Sequence, residues 1–355
     1  MACLLVTGGA GYIGSITCEL LLRKGLSVVV LDDLSRGHRG AIPQGVPFYQ
    51  GSVGDRRLVA QLIRRHRVTG CVHFAAHAYV GESVERPDVY YGNNVAEGIA
   101  FLGELVANRV PYIVFSSSCA VYGQPPAIPV AENCPLQPTS PYGRTKVILE
   151  QALADYSNAY GLRWVALRYF NAAGAVPNKG EDHYPETHLI PLAIRAALGH
   201  SPHLDILGCD YPTRDGTAVR DYVHVADLAQ AHWLACRYLE AGGRPDVFNL
   251  GAGSGHSVLE VIDAVKKASG ADILTVLSAR RDGDPAELVA DHGRASNVLG
   301  WHPERSGIDK IVQSAFLWHS RDPLGYDGRH RGVPLGTKRT RPPVMRDISP
   351  PRMRS

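Results

Sequence analysis

Val6-Thr7-Gly8-Gly9-Ala10-Gly11-Tyr12-Ile13-Gly14 is the stretch that decides the fold. It stands between an apolar run, Cys3-Leu4-Leu5-Val6, and a helical pattern from Ile16 to Leu22. The order reads strand, glycine turn, helix. Gly9, Gly11 and Gly14 fit G-x-G-x-x-G, and Gly8, Gly11 and Gly14 fit the longer G-x-x-G-x-x-G spacing. One glycine makes the tight turn, one lets a pyrophosphate approach the backbone, and one lets helix and strand pack closely. The helix start then offers free N–H groups and a partial positive charge to phosphates. Glycine turns are common, so the context matters. A second apolar run, Leu26 to Leu31, ends at Asp32-Asp33, eighteen residues past Gly14. A carboxylate there suits the hydroxyls of an adenosine ribose.

The same alternation continues outward. Short apolar runs at Val46–Gln50, Cys71–Ala76, Tyr112–Phe115 and Trp164–Phe170 are separated by helical patterns around Leu58, Leu62 and Ile63, around Leu102 and Leu105, and around Leu149 and Leu153. Strand and helix in turn predict an α/β fold, a Rossmann-type doubly wound parallel sheet, with its ligand at the carboxyl ends of the strands. From Asn171 turns increase and alternation weakens. We therefore expect a cofactor-binding domain over 1–172 and a smaller, mainly substrate-binding domain over 173–326. Residues 329–355 hold eight Lys/Arg against one Asp, with five prolines. The segment 327–355 reads as a basic, disordered tail.

Composition excludes several classes. The chain has 355 residues, 45% hydrophobic and 20% charged, with net charge +3. That balance calls for no nucleic acid, and no apolar run reaches the ~18 residues of a membrane span. The N-terminal apolar residues read as the first strand rather than as a secretory signal. Seven cysteines are scattered without C-x-x-C, which suits small apolar thiols in a cytoplasmic, reducing compartment.

Tyr142 and Lys146 lie four apart on a predicted helix that Ser140 caps and Pro141 opens, so they share a face. A phenol is a weak base at neutral pH. A neighbouring ammonium and a positively charged nicotinamide ring would lower its pKa. Ser118, ending a predicted strand, would bond the same substrate oxygen. Together they form a site for taking a proton from an alcohol while a hydride leaves its carbon. Glu181, Asp182, His183, Glu186 and His188 suggest a metal cluster, but the spacing matches no common site. We expect no metal there and a solvated loop near the substrate.

This combination resembles the extended short-chain dehydrogenases/reductases. Six segments are similar to those of UDP-glucose 4-epimerases: Thr7–Ser15, His73–Ala76, Val80–Ser83, Ser140–Gly143, Arg168–Asn171 and Val219–Val225. The resemblance spans residues 3 to about 326 and implies an NAD-dependent isomerase that acts on a UDP-sugar as a homodimer, with no nucleic-acid or membrane partner. It implies that Gly8, Gly11, Tyr12 and Ile13 hold the pyrophosphate and that Asp32 and Asp33 meet the adenosine ribose. Ser52 and Val53 meet the adenine, where the family usually has Asp in place of Ser52. Phe74, Ala75, Ala76, Asn93, Ser116 and Phe170 line the cofactor, and Lys146 also binds the nicotinamide ribose. Ser118, Tyr142 and Lys146 are catalytic. Ser118, Tyr142, Asn171, His188, Leu189, Arg220, Arg281 and Asp284 surround the UDP-sugar, and Leu288 walls the sugar pocket. Arg36 suggests a 2′-phosphate instead, but Asp32 and Asp33 would repel it, so NAD is favoured. A nucleotide-sugar dehydratase is the nearest rival. Those relatives carry Asp-Glu where this chain has Cys119-Ala120. A non-catalytic dinucleotide sensor would not need Ser118, Tyr142 and Lys146.

Overall fold

In a computed structural model, residues 2–281 and 283–326 are described. The expected tail at 327–355 lies outside the described residues. The first half supplies six strands: β1 (Cys3–Thr7), β2 (Ser27–Asp32), β3 (Phe48–Gln50), β4 (Gly70–His73), β5 (Tyr112–Ser118) and β6 (Arg163–Tyr169). Between them run α1 (Tyr12–Arg23), α2 (Arg56–His66), α3 (Val80–Glu85), α4 (Pro87–Tyr90), α5 (Gly98–Ala107) and α6 (Pro141–Tyr160). The second half adds β7 (Asn171–Ala173), β8 (Leu204–Leu207), β9 (Val219–His224), β10 (Asp246–Leu250), β11 (Gly255–Ser257), β12 (Thr275–Ser278) and β13 (Glu287–Leu288). Its helices are α7 (Leu189–Ala197), α8 (Val225–Glu240), α9 (Val258–Ser269), α10 (Gly293–Leu299) and α11 (Ile308–Arg321).

The large sheet is parallel throughout, in the order β10-β6-β5-β4-β1-β2-β3. Its strands are apolar on both faces because both faces are covered. Leu4, Val6, Val30, Val72 and Val114 point into one core with Leu21, Leu228 and Leu239. Leu5, Val29, Leu31 and Ile113 point into the other with Leu62, Phe101 and Leu153. Each such side chain, fully buried, stabilises by about 1.5–3 kcal/mol. Strand order reverses between β1 and β4, which opens a crevice at the carboxyl ends.

The chain does not divide cleanly in space at residue 172. β10 returns to extend the sheet beyond β6, and α8 packs on α1. Beyond the sheet, β9 lies in a smaller mixed sheet with β7, β11 and β13. Buried Asp221 of β9 binds the two layers, accepting bonds from Ala252, Gly253 and Ala290 backbone N–H groups at 2.6, 3.0 and 3.0 Å. Ile190, Ile194, Val261, Val265 and Ile311 form a separate core under this layer. Among the described residues no helix is long and apolar enough to cross a membrane.

One helix begins irregularly. The helical pattern around Leu102 and Leu105 is reached through α4 and a π turn over Tyr91–Glu97 before α5 begins. Such wide turns occur often at functional sites, and this one presents Asn93, Asn94 and Glu97.

Candidate active site

The glycine turn is shaped by contact. Gly8 has φ +70°, and a Cβ on it would stand 2.6 Å from Ala75 N. A Cβ on Gly14 would stand 2.2 Å from the Gly8 carbonyl oxygen. Only glycine permits β1, α1 and the end of β4 to approach this closely. Gly11 caps α1 without a side-chain bond, which leaves the first helical N–H groups available. Tyr12 and Ile13 open the helix. Asp32 is 7% exposed, and its carboxylate accepts from Ala10 N and Leu34 N, both at 2.9 Å. Burial pushes its pKa up, and those two N–H groups oppose the rise. Asp33 is exposed beside it and accepts from Ser35. The turn thus has the bare backbone and nearby carboxylates that a dinucleotide requires.

Around this turn the structure gathers most residues expected to line a cofactor. Phe74, Ala75 and Ala76 follow β4 directly, and Ala75 touches Gly8. Val53 is buried next to Ser52. Ser52 donates to Glu97, and Asn93 Nδ2 donates to the same Glu97 oxygen at 3.4 Å. Sequence reading does not single out Glu97. It lies forty-five residues from Ser52, and only the π turn brings the two together. Its one sequence signal is the missing family aspartate at Ser52, which leaves a place for a carboxylate from elsewhere. Phe170 is buried at the end of β6, where its N–H donates to Leu250 O at 3.0 Å.

The catalytic candidates meet at the end of β5. Ser140 Oγ accepts from Gly143 N at 3.1 Å, fixing the start of α6 and hence Tyr142 and Lys146. Lys146 Nζ donates to Ser116 O at 2.7 Å and lies 5.7 Å from the Tyr142 ring centroid. Burial brings the Lys146 pKa down to about 7, with Glu150 one turn on opposing the drop. Burial also pushes Tyr142 up to about 12, and the Ser118 hydroxyl beside it pulls the other way. In the protein alone Lys146 does not offset this rise; the expected lowering also involves the nicotinamide charge. Among the protein's own groups desolvation wins, and the opposing group is Ser118. Cys119 follows Ser118 and feels the positive charge of Arg220 from the second layer.

The substrate-side candidates are more dispersed. Asn171 starts β7, two residues past β6, and pairs in register with Tyr222 of β9. Arg220 of β9 lies 3.6 Å from Asp284 and is in register with buried Leu288 of β13. Arg281 is exposed, and its carbonyl accepts from Asp284 N at 3.2 Å. His188 and Leu189 stand where α7 begins. The loop before them is solvated in part, as expected, at Tyr184, Pro185 and Thr187, but not at its carboxylates. The side chains of Glu181 and Glu186 are 5% and 4% exposed.

A dinucleotide cradle at a strand-order reversal, with a buried Tyr and Lys on one helix face, defines the class of NAD(P)-handling enzymes on the Rossmann-type fold. Residues 4–251 match the NAD dependent epimerase/dehydratase family, and the chain belongs to that family. It is 46% identical over 330 residues to the UDP-glucose 4-epimerase of Halalkalibacterium halodurans, covering 92% of this chain and 98% of that one. A UDP-glucose 4-epimerase from Brucella ovis, solved in complex with NAD, superposes with TM-score 0.87 at 45% identity, covering 89% and 98% of the two chains. The Bifidobacterium longum enzyme, solved with NAD+ and UDP, superposes with TM-score 0.87 at 37% identity, covering 91% and 100%.

Proposed function

We propose that the chain is an NAD-dependent 4-epimerase that interconverts UDP-glucose and UDP-galactose. The observation that carries this reading is the meeting of Ser118, Tyr142 and Lys146 at the end of β5, beside the glycine cradle, with Cys119-Ala120 next in sequence. NAD, when bound, supplies an acceptor and then a donor for the hydride of sugar C4, so a 4-keto sugar is formed and reduced. Gly8, Gly11, Tyr12 and Ile13 present backbone to the pyrophosphate, and Asp32 and Asp33 face the ribose. Ser52 with Glu97 offers the adenine amino group an acceptor.

Tyr142 holds the O4 proton at its phenolic oxygen, and Ser118 orients the same oxygen by a hydrogen bond. Lys146 is a cation source one helical turn away. Arg220 and Arg281 suit the two phosphates of the substrate, since each guanidinium pairs an anion through a fork of donors. Asn171, His188, Leu189 and Asp284 complete the sugar side. In this reading residues 1–172 mainly hold the cofactor and 173–326 mainly hold the UDP-sugar, with 225–250 lent back to the large sheet. The enzyme works as a cytoplasmic homodimer. All seven cysteines are free, which supports a reducing compartment, and sedimentation tests the dimer.

The decisive test is UDP-galactose in heavy water with no added cofactor. UDP-glucose should form without deuterium at C4 or C5, because only the O4 proton reaches Tyr142 and exchanges. Deuterium at C5, or a 4-keto-6-deoxy product, would mean a dehydratase.

A further inference from the structure

The segment from Lys179 to His188 crosses the mouth of the cofactor crevice. His38 Nε2 donates to Asp182 O at 2.7 Å, Arg36 Nη1 donates to Tyr184 O at 3.0 Å, and Lys179 donates to Ala41 O. These partners all belong to the loop after β2. From the glycine turn, Tyr12 donates to Gly174 O at 2.5 Å and sets its ring edge-on to His183, with centroids 6.1 Å apart.

Under this crossing, Glu181, His183, Glu186 and His188 converge. One donor atom from each lies within 4.8 Å of all the others. His188 Nδ1 is 2.8 Å from Glu181 Oε1 and 3.0 Å from Glu186 Oε1. His183 Nδ1 is 3.0 Å from the same Glu181 oxygen.

Hydrogen bonds serve this set only in part: Glu186 Oε1 accepts from Thr187 N at 2.7 Å and from His188 N at 2.8 Å, while among the described residues Glu181 has only the two imidazoles. An imidazole Nδ1 carries at most one hydrogen, so His188 cannot donate fully to both carboxylates. The carboxylates of Glu181 and Glu186 are 5% and 4% exposed, and the set opens to solvent through His183 and His188, at 23% and 43%. Among the described residues their ion-pair partners are His183 and His188. A cation with several bonding directions would serve both carboxylates at once. A separate observation comes from Tyr79. It is 9% exposed, its ring is edge-on to His183 at 5.8 Å, and its buried hydroxyl has no hydrogen-bond partner. It is a buried polar group beside His183 that the described residues leave without a partner.

We propose that Glu181, His183, Glu186 and His188 bind one divalent transition-metal ion of the zinc type, which ties this segment down beside the glycine turn. The donors select the ion: two imidazoles favour zinc over magnesium or calcium, and two carboxylates neutralise its charge. Ligands at 2.0–2.2 Å around a four-coordinate ion stand about 3.3 Å apart. The donors reach that spacing by small side-chain shifts. The sequence displays the spacing E-x-H-x-x-E-x-H, which by itself leads to the expectation of no metal, because the burial of its two carboxylates is tertiary.

The test uses the full chain without an affinity tag, stripped with a strong chelator and then titrated with zinc. Calorimetry and elemental analysis should find one tightly held ion per chain, and the thermal midpoint should rise with it. Cobalt in place of zinc should give the intense visible bands of a four-coordinate ion. The double variant Glu181→Gln/His183→Gln should lower zinc affinity by at least about 100-fold. Failure of the unaltered chain to take up tight zinc, or weak six-coordinate cobalt bands, would overturn the proposal whether or not the variant folds. Equal zinc uptake by a folded double variant would also overturn it, placing the metal elsewhere, for example at His203 with Asp205 or His256 with Glu260.

Discussion

The two sides of the crevice are made by different means. On the cofactor side, backbone does most of the work. Gly8 and Gly14 leave no room for a Cβ, α1 offers bare N–H groups, and the strands beneath are apolar on both faces. On the sugar side, side chains do it. Arg220, Asp284 and Leu288 project from short strands and turns, and Asn171 is carried there by a two-residue step from β6. A backbone site is rigid and tolerates few substitutions. A side-chain site can be retuned one residue at a time. The catalytic pair sits at the seam between them.

The largest effect should come at that seam. Tyr142→Phe removes one hydroxyl and little packing, so turnover should fall by about 10²–10⁴ while bound NAD and the fold persist. Rate assays with absorbance of bound nucleotide test this. Near-normal turnover would put the base on another residue and move the seam.

Next is the cradle. Gly14→Ala drives a Cβ into the Gly8 carbonyl, which is backbone and cannot step aside. Loss of about 3 kcal/mol or more, with loss of copurifying NAD, is expected from overpacking. Gly103→Ala in α5 is the contrast, since its Cβ would meet nothing nearer than the Tyr156 hydroxyl at 4.0 Å. It should be neutral or stabilising by about 0.5–1 kcal/mol. Equal behaviour of the two alanines in urea unfolding would deny the cradle its rigidity.

A smaller, pH-dependent effect should come from Lys146. Its folded pKa, about 7, lies below its ordinary value of 10.5. Between those values the unfolded chain keeps the proton and the native chain has lost it. Stability should therefore rise with pH across this window, by at most about 1.4 kcal/mol per unit. Below about 7 both states hold the proton, and the cost of burying the charge is constant. Unfolding of the parent and of Lys146→Met from pH 7 to 10 should show the parent gaining on the variant. A constant gap would mean that Lys146 stays charged when buried.

The smallest effect belongs to Glu97→Gln. An amide keeps an acceptor but removes the charge, so NAD should be held several-fold less tightly, for about 1 kcal/mol. Unchanged retention in a dialysis assay would leave Ser52 as the sole acceptor at the adenine.

What the sequence determined by itself is local. The strand, glycine turn and helix at 3–23, the capped helix bearing Tyr142 and Lys146, and the serines ending β5 all follow from spacing along the chain. Those features rest on backbone periodicity, turn conformation and helix capping, which involve neighbours a few residues apart. Tertiary structure decided the rest. β10 and α8 rejoin the large sheet after the expected boundary because their apolar faces match Leu167 and Leu21. Glu97 reaches Ser52 only through a π turn. Burial pushes the Tyr142 phenol up, and the side chains of Glu181 and Glu186 are buried, because desolvation depends on what packs around a group. That packing is assembled from segments more than a hundred residues apart, and no spacing within any one of them records it.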